Sequence, residues 1–354
     1  MPRPTLNDIA RHLGYSKNTI SLALRGNPQI PPATRERIRA AADRLGYRPN
    51  AVVSQLMAQL RSSRTSRLQA KLALVNANLD PDAFKKHPTI PIYVEGCENR
   101  AASLGYDFDR FWLHDPDLTA ERWLRILNTR AIKGLILVGL MDTNHLPGHL
   151  RPVWEKLPCV VTGVRTRDPA LSYCSVDHFS LTLMAFERAL LLGYQRPGLV
   201  LDDVIDALVE RRFSAGYLAG RRQLPKGRQI PVFGDVSGPG RAEMFRRWLD
   251  RHEPDVVFTL YNSVFGWLKA AGRRVPEDIG VIQLEWRSAR PEVAGMNQHN
   301  LVTGEAAVDM VVSQIHNNEV GVQEFPRATA IGASWTDGAS VRPRRKSPAA
   351  ARSR

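Results

Sequence analysis

Apolar residues recur at helical spacing in three short segments near the amino terminus. Gly14 separates the first two segments, Ser16 suits the N-cap of the second, and Pro32 suits the first turn of the third. The inward positions are Leu6, Ile9, Ala10 and Leu13 in the first segment, Ile20, Ala23 and Leu24 in the second, and Ile38, Ala41, Ala42 and Leu45 in the third. This pattern predicts a helix-turn-helix unit completed by a third helix.

The pattern changes beyond Lys71, where short apolar runs alternate with amphipathic segments. The runs predicted to be strands are KLALV, KGLILVG, CVVTGV, PGLVL, DVVFTL and IGVIQL. The predicted helices between them include VEGCENRAASLGY, LTLMAFERALLLGY and GEAAVDMVVSQIHNN. Such alternation predicts parallel α/β layers, and roughly 270 residues suffice for two lobes.

Positive charge is concentrated at the two ends of the chain. The formal net charge is +14, with +10 in residues 1–71, +6 in residues 341–354 and −2 between them. A basic amino-terminal block predicts a polyanionic partner, either nucleic acid or an anionic membrane surface, although a solvated charged face would look the same. No apolar run approaches the ~20 residues that span a bilayer, and a signal-peptide core is absent from the sequence. With three scattered cysteines, we expect a cytoplasmic protein without a membrane partner.

The second predicted helix has a polar side that the core does not need. Because its apolar positions face the other helices, Lys17, Asn18 and Ser21 must face outward. A helix of this diameter fits the DNA major groove, where asparagine can bind adenine and lysine can reach guanine acceptors. Ser16 and Thr19, at the helix start, suit phosphate. A generic three-helix interaction domain remains the alternative.

A stretch of more than fifty residues closely resembles the headpiece of LacI/GalR (lactose-repressor-type) transcriptional regulators. It is TLNDIARHLGYSKNTISLALRGNPQIPPATRERIRAAADRLGYRPNAVVSQL, and the matching elements are DIA, the S..T.S helix, TRERI and A..LGY.PN. The resemblance implies an all-α helix-turn-helix headpiece at 1–49 and a hinge helix and linker at 50–70. The charge, prolines and small residues of 341–354 predict a basic disordered tail. Between them, 71–340 would form a two-lobed α/β body resembling periplasmic sugar-binding proteins.

The same resemblance implies a function. The expected protein is a repressor that binds a palindromic operator in double-stranded DNA as a homodimer, with a small effector, sugar-like or unknown, in the cleft of its body. The residues expected to contact DNA are Thr5, Leu6, Ser16, Lys17, Asn18, Thr19, Ser21, Leu22, Thr34, Tyr47, Asn50, Val53, Ser54 and Leu56.

The hinge expectation also has a physical basis. Asn50 can cap a short helix on which Val53 and Leu56 lie on one side, and apolar side chains there can insert between base steps from the minor groove. A helical linker with a buried apolar face is the alternative. The sequence departs from the family at Leu22, where many members carry arginine, and at Pro31, where a capping serine is common. The link MAQLRSSRTSRLQA is also longer and more basic than usual.

The resemblance is weaker in the body, and the expected effector positions diverge. Many members of the family carry an arginine where this sequence has Phe213, and Arg212 is one position earlier. Asn262 aligns with an aspartate that is common in the family, and Glu285 aligns with another acidic residue. Thr89 and Ile90 replace aromatic contacts at the opening of the first lobe. Losing an arginine and an aspartate weakens a simple sugar assignment. Purely structural roles, or a body that no longer binds a small molecule, stay open.

Enzymatic chemistry and cofactors are not expected. The sequence contains no P-loop, G-x-S-x-G or dinucleotide fingerprint, and VSGPGR lacks the third glycine. His145 and His149 flank Pro147 and Gly148, which favours a loop over a metal site. Two other classes of protein are alternatives. A periplasmic solute-binding protein would begin with a signal peptide, and a sugar-modifying enzyme would need a catalytic constellation.

Overall fold

The computed structural model describes residues 5–24, 29–47, 70–234 and 236–342, with the side chains of Asn18 and Ser21 left outside that description. The predicted hinge residues Asn50, Val53, Ser54 and Leu56, most of the basic link and the tail from residue 343 lie outside the described residues.

Three helices form the headpiece: α1 Leu6–Leu13, α2 Lys17–Leu24 and α3 Pro32–Arg44. Their buried centre consists of Ile9, Ile20, Ala23, Ile38 and Ala42. Gly14 ends α1 in the left-handed region at φ 71°, which glycine adopts without steric cost. These features confirm the predicted helix-turn-helix pattern.

One expected core position in the headpiece is wrong. Leu45 is 36% exposed, because α3 ends at Arg44 and the chain then turns through Gly46 at φ 69°. The helical stripe therefore stops one residue before the leucine.

The first lobe contains a six-stranded parallel sheet in the order β10-β5-β4-β3-β1-β2. Its strands are β1 Ala70–Asn76, β2 Tyr106–Trp112, β3 Ile132–Val138, β4 Cys159–Thr162, β5 Ser172–Val176 and β10 Ala328–Ile331. Its helices are α4 Ala83–Lys86, α5 Ile90–Ser103, α6 Ala120–Thr129, α7 Arg151–Trp154 and α13 Asn300–Asn317. Strands β1 and β3 are apolar along most of their length because helices cover both faces.

The second lobe contains a five-stranded sheet in the order β11-β9-β8-β7-β6, parallel except for β11. Its strands are β6 Pro197–Val200, β7 Val256–Thr259, β8 Gly280–Gln283, β9 Gly295–Asn297 and β11 Ser334–Thr336. Its helices are α8 His178–Leu191, α9 Asp203–Leu208, α10 Arg212–Arg221, α11 Arg241–His252 and α12 Ser263–Ala270.

The chain passes between the lobes three times. The passages follow β5, β9 and β10 and lead into α8, α13 and β11. Neither lobe is therefore one continuous stretch of sequence. Together with the headpiece, this arrangement confirms the predicted fold class of a helical headpiece with a two-lobed α/β body.

Close helix packing in each lobe depends on glycine. A Cβ on Gly96 of α5 would collide with the backbone of Leu301 in α13, and a Cβ on Gly304 would collide with the backbone of Tyr93. In the second lobe, a Cβ on Gly216 of α10 would meet the backbone of Phe179 in α8. These glycines let the helix backbones approach directly.

Candidate DNA-binding surface and interlobe pocket

The start of α2 is held by the cap that the sequence predicts. The backbone N–H of Thr19 donates to Ser16 Oγ at 3.0 Å, and the two hydroxyl groups lie 2.8 Å apart. Thr5 similarly begins α1, because its backbone N–H and its hydroxyl both donate to Asp8 Oδ2, at 2.8 and 2.7 Å. The hydroxyl groups of Ser16, Thr19 and Thr5 are therefore fixed at helix starts, where backbone N–H groups favour anions.

The remaining DNA-contact candidates fall into two groups. Lys17 is exposed, and Thr19 and Leu22 are partly exposed, while Ile20 on the same helix is fully buried. Leu6 and Tyr47 instead pack against the headpiece core, which leaves only part of each side chain exposed. Thr34, in the first turn of α3, is partly exposed. Helix α2 thus presents a basic first turn away from the core.

A cavity of about 390 Å³ lies between the two lobes of the body. Its walls come from residues that follow the carboxyl ends of parallel strands: Gly139 after β3, Gly163 after β4, Leu260 after β7, Glu285 after β8 and Gln298 after β9. Open α/β sheets bind ligands at these ends. The volume is within the range of small-molecule sites, about 300–1,000 Å³.

The polar part of the cavity is centred on one carboxylate, Glu285. It accepts hydrogen bonds from Thr89 Oγ1 at 2.7 Å and Asn300 Nδ2 at 3.1 Å. Arg287 Nη2 lies 2.8 Å from the other carboxylate oxygen. Because Thr89 belongs to the first lobe and Glu285 to the second, this network bridges the lobes.

A separate set of hydrogen bonds orients Asn262, which lies in the same wall. Asn262 Oδ1 accepts from Gln283 Nε2 and from Arg290 Nη1, each at 3.0 Å. Arg290 also lies over the ring of Phe265, 4.6 Å from its centroid. The amide oxygen of Asn262 is therefore oriented by groups of the protein itself.

Burial favours the neutral form of two histidines of the cavity. Burial, reinforced by the positive charge of Arg212, lowers the pKa of His178 to about 3 although Asp177 opposes the shift. Its ring stacks edge-on against Phe213, with ring centroids 4.5 Å apart. Burial also lowers the pKa of His87, against the opposing effect of Glu285. At neutral pH the imidazole of His178 is therefore uncharged, and the lowered pKa of His87 favours its neutral form.

The structure places three of the four candidate effector residues in the cavity wall, namely Phe213, Asn262 and Glu285. Arg212 is not in that wall; its guanidinium lies 3.8 Å from Glu210 beside a separate, much smaller cavity. Of the two positions that replace family aromatics, Thr89 lines the cavity and Ile90 is buried beside it.

Sequence reasoning missed several residues of the wall. Arg287 lies in a loop without a motif, and His178 and Tyr261 follow strands at positions where the sequence carries no periodic signal. His178 follows β5, Tyr261 follows β7 and Arg287 follows β8, each within four residues of the end of the strand. These positions would have identified them, since ligands bind at the carboxyl ends of parallel strands.

Comparison with known proteins identifies the type of protein. Residues 5–50 match the family model "Bacterial regulatory proteins, lacI family". The HTH-type transcriptional regulator CelR of Thermobifida fusca is 26% identical over 328 residues, which cover 88% of this chain and 92% of CelR. The headpiece is that of the LacI family, and the chain as a whole is similar to transcriptional regulators of the LacI type. The LacI-type resemblance predicted from the sequence is therefore confirmed.

Other relatives of this regulator cover the headpiece and the body alike. Catabolite control protein A of Streptococcus mutans is 23% identical over 341 residues, 91% of this chain and 94% of that protein. Among solved structures, a CelR–cellobiose complex superposes with a TM-score of 0.58 at 22% identity, covering 96% of this chain and all of that one. The lac repressor dimer bound to operator and the anti-inducer ONPF gives 0.56 at 17% identity, covering 96% and 99%. These structures share the fold of the regulator.

Two further features bear on the chemistry of the regulator. No group of three His, Cys, Asp or Glu side chains suited to a metal ion occurs within 5–24, 29–47, 70–234 and 236–342. Over the same ranges, none of the helices combines the length and the apolar character needed to cross a bilayer.

Proposed function

We propose that this LacI-type regulator represses transcription by binding a near-palindromic operator as a homodimer, and that a small effector in the interlobe cavity changes its DNA affinity. The DNA-binding part is supported chiefly by the orientation of α2. Its buried Ile20 and Ala23 fix the helix on the core while Lys17 stays exposed in the first turn. A helix presented in this way can enter the major groove and reach base edges.

A dimer is proposed because one short recognition helix contacts too few base pairs for useful specificity. Two copies related by a two-fold axis would contact two half-sites one helical turn apart, or a multiple of it. Dimeric binding therefore predicts an operator whose halves are inverted repeats.

Effector control is supported by the cavity and the bridge across it. A ligand between the lobes contacts residues of both, so its affinity depends on how the lobes are arranged. By linkage, a ligand that prefers one arrangement changes DNA affinity by the same factor by which DNA changes the affinity for the ligand.

The test is selection of duplexes from a random pool by the full-length regulator, followed by footprinting and measurement of the mass of the complex. We expect inverted half-sites protected by two chains. Lys17→Ala should weaken binding to the selected site, whereas Lys133→Ala, at an exposed lysine of the body, is the charge-matched control. A single asymmetric site saturated by one chain would contradict the proposal. Repression itself is measured by transcription from a promoter that overlaps the selected site.

A further inference from the structure

We infer that the interlobe cavity takes an uncharged ligand with a compact apolar body and a hydrogen-bond acceptor that faces Arg287, and not a polyhydroxylated sugar. This inference rests on the proposed effector function and names the chemical class of the effector. Three properties of the cavity support it: the pairing of its charges, the hydrogen bonds of its polar groups within the protein, and the apolar side chains of its wall.

The charges of the cavity are paired within the protein. Glu285 and Arg287 form an ion pair at 2.8 Å, and Thr89 and Asn300 donate to the same carboxylate. The imidazole of His178 is buried and that of His87 is half-buried, and burial lowers the pKa of both. A charged ligand would therefore add an unpaired charge to a partly enclosed site, which is unfavourable.

Several polar groups of the wall are occupied by protein partners. Gln298 Nε2 donates to the carbonyl oxygen of Leu284 at 2.8 Å, and Thr162 Oγ1 donates to that of Leu137 at 3.3 Å. Asn262 Oδ1 already accepts two hydrogen bonds. A sugar with many hydroxyl groups would place some of them against the apolar part of the wall, and each buried unsatisfied group costs about 1–3 kcal/mol.

The larger part of the remaining surface is apolar. Ile205, Leu208 and Phe213 contribute from α9 and α10, and Leu140 and Met141 contribute from the loop after β3. Arg212 precedes Phe213 in the sequence, but its guanidinium group lies beside Glu210 and is not part of this wall. These side chains suit an aromatic or alicyclic body that contacts both lobes.

The guanidinium group of Arg287 offers donors that can orient such a ligand, because its buried Nε has no partner among the described residues. Within the described part of the chain, the side chain of Arg287 donates through Nη2 only, to Glu285 and to Thr89 at 3.3 Å. Its Nη1 meets no acceptor there, and the side chain is 27% exposed. A carbonyl or ether oxygen on the ligand would complete the hydrogen bonding of this guanidinium group.

The probe for this inference is prodan, an uncharged naphthalene that carries one ketone and fluoresces more strongly in apolar surroundings. Fluorescence titration of the full-length regulator should show saturable binding to one site per chain. Glucose or cellobiose in large excess should not displace the dye. No binding, or displacement by either sugar, would overturn the inference without any variant being needed.

Two neighbouring substitutions locate the bound dye. Ile205→Gln places a polar group in the cavity wall and should weaken prodan binding about tenfold. Val204→Gln, at a side chain on the same helix that is 54% exposed and outside the wall, should leave binding unchanged. Circular dichroism shows whether both variants are folded. Equal affinities in the two variants would place the dye elsewhere and overturn the inference.

The same preparations separate this inference from the proposed function. If the regulator binds prodan in the cavity and yet selects no DNA, the proposed function fails while the ligand class stands. If it selects DNA and its cavity prefers the sugars, the function stands and the ligand class fails.

Discussion

Replacing Glu285 tests whether the bridge between the lobes stabilises the body. The carboxylate is 9% exposed and accepts hydrogen bonds from Thr89, Asn300 and Arg287. In Glu285→Ala all three donors lose their acceptor, and Arg287 is left as a partly buried, unpaired cation. In Glu285→Gln one carbonyl oxygen remains, so part of the network survives.

The magnitude follows from burial. Removing one partner of a buried ion pair costs about 3–5 kcal/mol. Because the side chain of Arg287 is 27% exposed, solvent compensates part of the loss, and we expect a value of about 3 kcal/mol for Glu285→Ala. For a domain of this size that lowers Tm by about 6–12 °C. Glu285→Gln should lose about half as much, since hydrogen bonds to charged groups contribute about 1.5–3 kcal/mol.

Thermal and urea unfolding followed by circular dichroism measure these differences. Glu292→Ala is the matched control, because Glu292 pairs with Arg290 at 2.9 Å with its side chain 57% exposed. Exposed pairs contribute about 0–1 kcal/mol. If Glu285→Ala destabilises the regulator no more than Glu292→Ala does, the bridge adds nothing to stability and the reasoning is refuted.

Three further outcomes are expected. Because the pKa of His178 falls from 6.5 to about 3 on folding, only the unfolded chain binds that proton between these values. The free energy of unfolding should thus fall as pH drops below about 6.5, by about 1.4 kcal/mol per pH unit from this group. In urea unfolding, His178→Phe should show a weaker dependence of this free energy on pH. An unchanged dependence would count against the neutral, buried state of His178. Gly96→Ala should destabilise the first lobe and Gly148→Ala, in open space, should not; equal Tm values would refute the close packing. Lys17→Ala should cost about 1–3 kcal/mol on the selected DNA in anisotropy titrations, and Leu22→Arg should change the preferred base; equal losses on random DNA would assign Lys17 to phosphate.

The sequence predicted elements best where burial alone decides them. Apolar runs such as KGLILVG became β3 because central parallel strands are covered on both faces. Strand β2 was missed because it is an edge strand whose Asp107, Asp109 and Arg110 hide the strand pattern. Strands β9 and β11 have three residues each, which is too short for any periodic signal.

The candidate site was predictable only in part, for a related reason. The cap formed by Ser16 is local in sequence, so its geometry could be predicted. The contact between Thr89 and Glu285 joins residues 196 positions apart, and only the folded lobes bring them together. No local pattern marks Arg287, whose role depends on that contact.

The three passages of the chain between the lobes have a consequence for synthesis on the ribosome. The first lobe begins with β1, yet its core includes Ala307, Val308 and Val311 of α13, and its sheet ends on β10. A nascent chain therefore exposes an unfinished apolar face of this lobe until nearly all of the protein has emerged. Most of the second lobe lies between residues 178 and 297 and becomes available earlier. The need for chaperones during synthesis should therefore depend mainly on the first lobe, whose synthesis starts earlier and whose core is completed later than that of the second lobe.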